Sequence, residues 1–162
     1  MVLRKVNTND IDLLIKLRLD YLTEDLGSLS QENWSKIKSQ LESYFHKHIP
    51  DGTFIGVVAE NNGVVLSTAY LAIFEKPANL AFITGKTGTL MNVLTYASYR
   101  RQGIATKVVS KIIEEAKLCG VCSIDLSATS DGKPLYQKLG FSETASLESI
   151  YTAMKQNIMS MS

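Results

Sequence analysis

Apolar residues recur along this chain in two rhythms, one helical and one alternating. Val2 to Val6 is a short apolar run that predicts a strand. Thr8, Asn9 and Asp10 then offer helix-capping side chains, and Asp12 adds negative charge for a first turn. Ile11, Leu14, Ile15 and Leu22 recur at helical spacing up to Gly27. Ser28 to Ser30 can cap a second helix with the stripe Trp34, Ile37, Leu41, Tyr44 and Phe45, which Pro50-Asp51-Gly52 ends. Strands at 53–60 and 64–74 flank Asn61-Asn62-Gly63, and Asn-Gly is a strong hairpin signal because both residues tolerate positive φ. A longer loop over 75–87 contains Pro77 and Gly85. It leads to a strand at 88–96, a helix at about 104–118, a strand at 121–127 and a short helix at about 132–139. A last pair of strands is expected near 141–144 and 148–154, with the tail NIMSMS frayed.

This order is α+β. It predicts α/β/α layers around a central mixed, mainly antiparallel sheet of six to seven strands, with one βαβ crossover. There is no repeat, low-complexity stretch or linker, so residues 1–162 read as a single domain. Hydrophobic residues at 45% and charged residues at 20% are ordinary globular composition. Lys and Arg total 17 against 16 Asp and Glu, a net charge of +1 that gives no support to a nucleic-acid binder. Two cysteines cannot staple a chain of this size. The amino terminus turns polar at Asn7, too soon for a signal peptide, and no apolar run nears the roughly 18 residues of a membrane helix. A cytoplasmic protein is expected, with no nucleic-acid or membrane partner.

The informative stretch is Tyr99-Arg100-Arg101-Gln102-Gly103-Ile104-Ala105-Thr106, between an apolar strand and a helix with the inner face Ile104, Val108, Ile112 and Ala116. A helix N-terminus presents unpaired N–H groups and a positive dipole end, which suits a phosphate. Gly103 lets the backbone approach an anion, and Ala105 keeps the approach clear of bulk. Arg100, Arg101, Lys107 and Lys111 stand here with no acid between 99 and 111. Alone, such residues also describe a solvated basic face. The strand before and the helix after favour the anion site. A Rossmann fingerprint is missing.

Other motifs carry less. Cys119 and Cys122 form a CxxC at a helix C-terminus, where the dipole opposes a reactive thiolate. His46 and His48 alone do not complete a zinc set, so no metal is expected. Gly85-Lys86-Thr87 lacks the first glycine of a P-loop, since Leu80 stands there.

Arg100-x-x-Gly103-x-Ala105 after a strand, followed by Gly132-Lys133-Pro134-Leu135-Tyr136-Gln137-Lys138-Leu139-Gly140-Phe141, resembles the GNAT superfamily of acyl-CoA-dependent N-acyltransferases. The matching core is about 88–141, and the helices at about 8–48 correspond to the acceptor side. The resemblance implies acetyl-CoA as co-substrate and a primary amine, free or on a peptide, as acceptor. It implies that Arg100, the N–H groups of Arg101, Gln102, Gly103, Ile104 and Ala105, and the Thr106 hydroxyl hold the pyrophosphate. Val93, Leu94 and Thr95 would meet the pantetheine arm, with an N–H at Val93 or Leu94 polarising the thioester carbonyl. Members often carry a bulge here, which GTLMNVLTY does not announce. Tyr136 corresponds to the acid that protonates the leaving thiolate; the other reading is a core tyrosine beside Phe141. Thr129 and Lys133 are further cofactor contacts. Asn92 is placed to orient a water or the acceptor, or simply faces solvent. No general base is assigned.

Between Arg18 and Lys36 the charged residues Asp20, Glu24, Asp25 and Glu32 are all acidic. In the family this connection roofs the acceptor, so Asp20, Glu24 and Asp25 are candidates to attract a cationic amine; a solvated acidic loop explains them equally. The reading is an N-acetyltransferase acting in a ternary complex. Its alternatives are a silent coenzyme-A-binding regulatory domain and a transferase of longer acyl groups. A homodimer is left open by the family's habits.

Overall fold

The computed structural model describes residues 1–144 and 152–158. The elements are β1 (Val2–Lys5), α1 (Ile11–Leu26), α2 (Gln31–His48), β2 (Phe54–Asn61), β3 (Val64–Glu75), β4 (Lys86–Thr95), α3 (Ile104–Leu118), β5 (Ser123–Ala128), α4 (Lys133–Lys138), β6 (Ser142–Glu143) and β7 (Thr152–Asn157). They build one seven-stranded sheet in the order β1-β2-β3-β4-β5-β7-β6. β4 and β5 are parallel, joined through α3; every other neighbouring pair is antiparallel.

β2 shows why the sheet needs helices on both sides. Phe54 and Val58 face α1 and α2, while Ile55, Val57 and Ala59 face α3, so the strand is apolar at nearly every position. On the first face Leu14, Ile15 and Leu17 of α1 and Leu41 and Phe45 of α2 pack on Tyr70 and Phe54. Tyr70 donates its buried hydroxyl to Leu14 O at 2.7 Å, which ties α1 to β3. On the other face α3 buries Ile104, Val108, Val109, Ile112 and Ala116, an i, i+4 stripe. Val108, Val109 and Ile112 are fully buried, each worth roughly 1.5–3 kcal/mol of transfer free energy. The Asn62-Gly63 turn takes positive φ at both residues, as the hairpin requires.

Three local expectations change. The first cap belongs to Asn7, whose side chain accepts from Asn9 N, while Asp10 accepts from Asn7 N in return. Trp34 leaves the α2 stripe and stands 38% exposed, with the Lys38 ammonium over its ring. Of the tail expected to fray, Asn157 ends β7 and buried Ile158 donates its N–H to Cys122 O at 3.1 Å, while 159–162 lie outside the described residues. The expected strand at 148–154 lies partly outside the described residues.

Candidate active site

The site begins where two parallel strands stop pairing. β4 and β5 share three pairs, Thr87 with Ser123, Gly88 with Ile124 and Thr89 with Asp125. Thr89 Oγ1 donates to Asp125 Oδ1 at 2.7 Å, and beyond that tie the strands part. Between them lies a cleft of about 640 Å³, within the range of small-ligand sites. Leu90 to Thr95 form one wall and Leu126 to Thr129 the other.

A bulge turns the first wall inward, although the sequence does not announce one. Thr68 pairs with Leu94 and Tyr70 with Met91, so Asn92 and Val93 together oppose Ala69. Asn92 takes φ +55 and is 1% exposed, which excludes the solvent-facing reading. Its Oδ1 accepts from Arg18 Nη1 at 3.3 Å, and its Nδ2 donates to Leu17 O at 3.5 Å. Downstream, Ser67 Oγ donates to Leu94 O at 2.9 Å and Arg100 Nε to Thr95 O at 2.8 Å. Internal donors thus hold the carbonyls of this wall.

At the mouth the chain enters α3 through Arg101 and Gly103, both in the left-handed region at φ +60 and +74. A Cβ on Gly103 would meet nothing within 4 Å, so glycine is required here by φ and not by crowding. Gly103 caps α3 without a side chain, and the first N–H groups of the helix have no intrahelical acceptor. Successive N–H groups around left-handed residues form an anion cradle. Arg100, Arg101 and Ala105 line the cleft beside it. Gln102 and Gly103 are exposed in the turn, Ile104 is a core side chain that can offer only its N–H, and Thr106 is half-buried on the first turn of α3.

Tyr136 of α4 lines the opposite wall and is 8% exposed. It meets Phe141 edge to face with centroids 6.0 Å apart, so the core contact and the cleft position coexist. Burial, and to a smaller degree the Tyr21 phenol, push the Tyr136 hydroxyl above the usual phenol range. Thr129 lines the cleft and caps the following turn, its Oγ1 accepting from Gly132 N at 3.2 Å. Lys133 lies outside the lining and pairs with Glu143.

The acidic residues scatter. Glu24 and Asp25 line the cleft, but Glu24 is paired with the Arg100 guanidinium, so the basic turn and the acidic connection meet each other. Asp20 is outside the lining. It accepts from Lys16 Nζ at 2.7 Å and from the Tyr96 hydroxyl at 2.5 Å, and these bonds outweigh burial to hold its carboxyl low. Sequence reasoning missed Tyr21, Met91, Asp131 and Leu135, all of which line the cleft. Tyr21 stands three residues after Arg18 on α1, a spacing that could have flagged it. Among the described residues no group of three or more His, Cys, Asp or Glu could hold a metal ion, and no helix is long and apolar enough to cross a membrane.

A parted parallel strand pair, a bulged inner wall and an anion cradle at the helix between them define an acyltransferase of the GNAT type. The model of the acetyltransferase (GNAT) family matches residues 19–141, and the chain belongs to that family. Solved structures agree. A predicted acetyltransferase from Clostridium acetobutylicum, determined with acetyl-CoA, is 29% identical with a TM-score of 0.80, over 91% of this chain and 94% of that one. A GCN5-related N-acetyltransferase from Ralstonia eutropha is 23% identical with a TM-score of 0.76, over 91% and 96%. PaiA N-acetyltransferase from Thermoplasma acidophilum, in complex with coenzyme A, shares the fold at 16% identity and a TM-score of 0.70, over 97% and 99%. No curated protein matches the chain.

Proposed function

We propose that this protein is an acetyl-CoA-dependent N-acetyltransferase that takes its acyl donor between β4 and β5 and a primary amine from the α1 side. One observation carries the reading: the parting of β4 from β5 opens onto the uncapped N-terminus of α3, with Arg100 and Arg101 at the mouth. That cradle fits a pyrophosphate, and the 640 Å³ cleft behind it fits an extended arm. Acetyl-CoA would supply the activated thioester.

The Arg101–Ala105 turn, helped by the Arg100 side chain and the Thr106 hydroxyl, holds the phosphates. Val93, Leu94 and Thr95 offer main-chain groups to the arm, and a fixed N–H at Val93 or Leu94 favours the charge that develops on the carbonyl oxygen. Thr129 and Lys133 make outer contacts. Tyr136 keeps its proton at neutral pH and donates it to the departing sulfur. Burial holds the Tyr136 phenol above its usual range, which keeps the proton in place until the thiolate forms. Asn92 orients the inner wall. Asp25 and Glu24 line the cleft and add negative charge on the side where an ammonium would enter, and Asp20 pairs with Lys16 outside it. Two free cysteines fit a cytoplasmic setting, and light scattering would test for a homodimer.

The test is thermal unfolding with and without acetyl-CoA, followed by thiol release over a panel of primary amines. Ligand at 100 times its Kd should add about 2.7 kcal/mol. A shift with amine-dependent release supports the enzyme. A shift without release from acetyl-CoA, or release only from longer acyl donors, favours the silent domain or the other donor. No shift at saturation overturns the reading.

A further inference from the structure

α1 and the inner wall of the cleft are joined through a residue in the left-handed conformation. Asn92 lies in the middle of β4 with φ +55 and is buried. Asparagine enters that region more readily than other side chains, but in mid-strand its surroundings must hold it there. Here the surroundings are α1. Arg18 Nη1 donates to Asn92 Oδ1 at 3.3 Å, and the Asn92 amide reaches Leu17 O at 3.5 Å. The Arg18 guanidinium also lies over the Tyr21 ring, with Cζ 5.8 Å from its centroid, and Tyr21 and Tyr136 both line the cleft.

We infer that Arg18 is a positioning residue for acyl transfer: by bridging Asn92 and the Tyr21 face, it fixes the β4 bulge that presents the Val93–Thr95 main chain to the cleft. The planar guanidinium suits both contacts at once, donating in its plane and stacking on its face. The helix on the acceptor side thereby sets the geometry on the donor side. The inference rests on the function proposed above, in which that main chain meets the acyl donor.

Two substitutions in the 162-residue chain test it. Arg18→Met keeps the aliphatic stem and removes the donors. Asn92→Gly keeps the positive φ at no steric cost and removes the side chain, so it reports on the clamp even if the Arg18 variant does not fold. The first readout needs no ligand: amide hydrogen exchange over residues 92–95 should rise about tenfold or more in either variant, with β2 unchanged. The second is thiol release from acetyl-CoA with the best amine of the panel. kcat should fall about 10- to 100-fold, while the KM for acetyl-CoA and the calorimetric Kd for coenzyme A rise by a smaller factor, about fivefold at most, because the α3 turn still holds the phosphates. Unchanged protection at 92–95, or unchanged kcat, overturns the inference. An equal loss of coenzyme A affinity overturns it too, because the bond is then merely structural. Failure of the wild type to bind coenzyme A would instead sink the proposed function, leaving the exchange result to judge the clamp.

Discussion

Glu24→Gln should tighten coenzyme A binding. In the free protein the Glu24 carboxylate sits on the Arg100 guanidinium, the group expected to meet the pyrophosphate, so ligand must displace a resident anion. The side chains are 51% and 47% exposed, and pairs of that exposure are worth about 0.2–1 kcal/mol. At about 1.4 kcal/mol per tenfold, removing the competitor should lower Kd about 1.4- to 5-fold. Removing like-charge repulsion acts in the same direction. Isothermal titration calorimetry with coenzyme A at low and high salt measures it, and the gain should shrink as salt screens the pair. Arg100→Met is the companion variant: it should weaken binding, and Glu24→Gln added to it should give less benefit than in the wild type. Weaker binding in Glu24→Gln alone would show that Glu24 orients Arg100 for the ligand, and an unchanged Kd would show that Arg100 does not meet it. Either result refutes the competition.

Tyr136→Phe keeps the edge-to-face contact with Phe141 and removes the proton, so kcat in the thiol-release assay should fall about 10²-fold with coenzyme A affinity unchanged. Full activity would remove the tyrosine from the chemistry. Gly103→Ala forces a Cβ into φ +74 without a clash, which should cost about 1–2 kcal/mol, visible as a lowered Tm and weaker coenzyme A binding. An unchanged Tm would mean the turn tolerates the residue. Asp10 accepts from both terminal nitrogens of Arg4 at 2.9 Å, and chiefly these bonds hold its carboxyl below the usual range. A depressed carboxyl stabilises the fold above its unfolded value of about 3.9 and loses that contribution as pH falls through its folded value. Asp10→Asn should therefore cost about 1.5 kcal/mol at pH 7 in urea unfolding, with the gap closing in acid. A gap that persists at low pH would refute the assignment.

Where periodicity carries the information, the chain is readable. α3 lies at Ile104–Leu118, where its stripe predicts it, and the Asn62-Gly63 hairpin and the parallel crossover follow from local pattern. The β4 bulge is different, because it depends on what α1 does to Asn92 and not on the alternation of GTLMNVLTY. The one local hint is that asparagine tolerates positive φ better than its neighbours. The pairing of Glu24 with Arg100 was equally hidden: 76 residues separate two charge runs that look like independent surfaces until the fold superimposes them. That Tyr136 lines the cleft was legible because its motif is local, while Tyr21 and Asp131 reach the cleft only through tertiary packing.

The three-pair limit on β4 and β5 means that this protein keeps two unsealed sheet edges in the middle of its own fold. Open edges elsewhere are blunted by charge, proline or a covering loop, since they invite another chain to add as a strand. On the proposed function, the covering here is a passing substrate. An extended donor lying along β4 would take the place of a missing strand, and its departure would re-expose the edge. The cleft is thus also the place where an unliganded molecule is most open to strand addition, so donor occupancy should protect this protein from self-association as well as from heat.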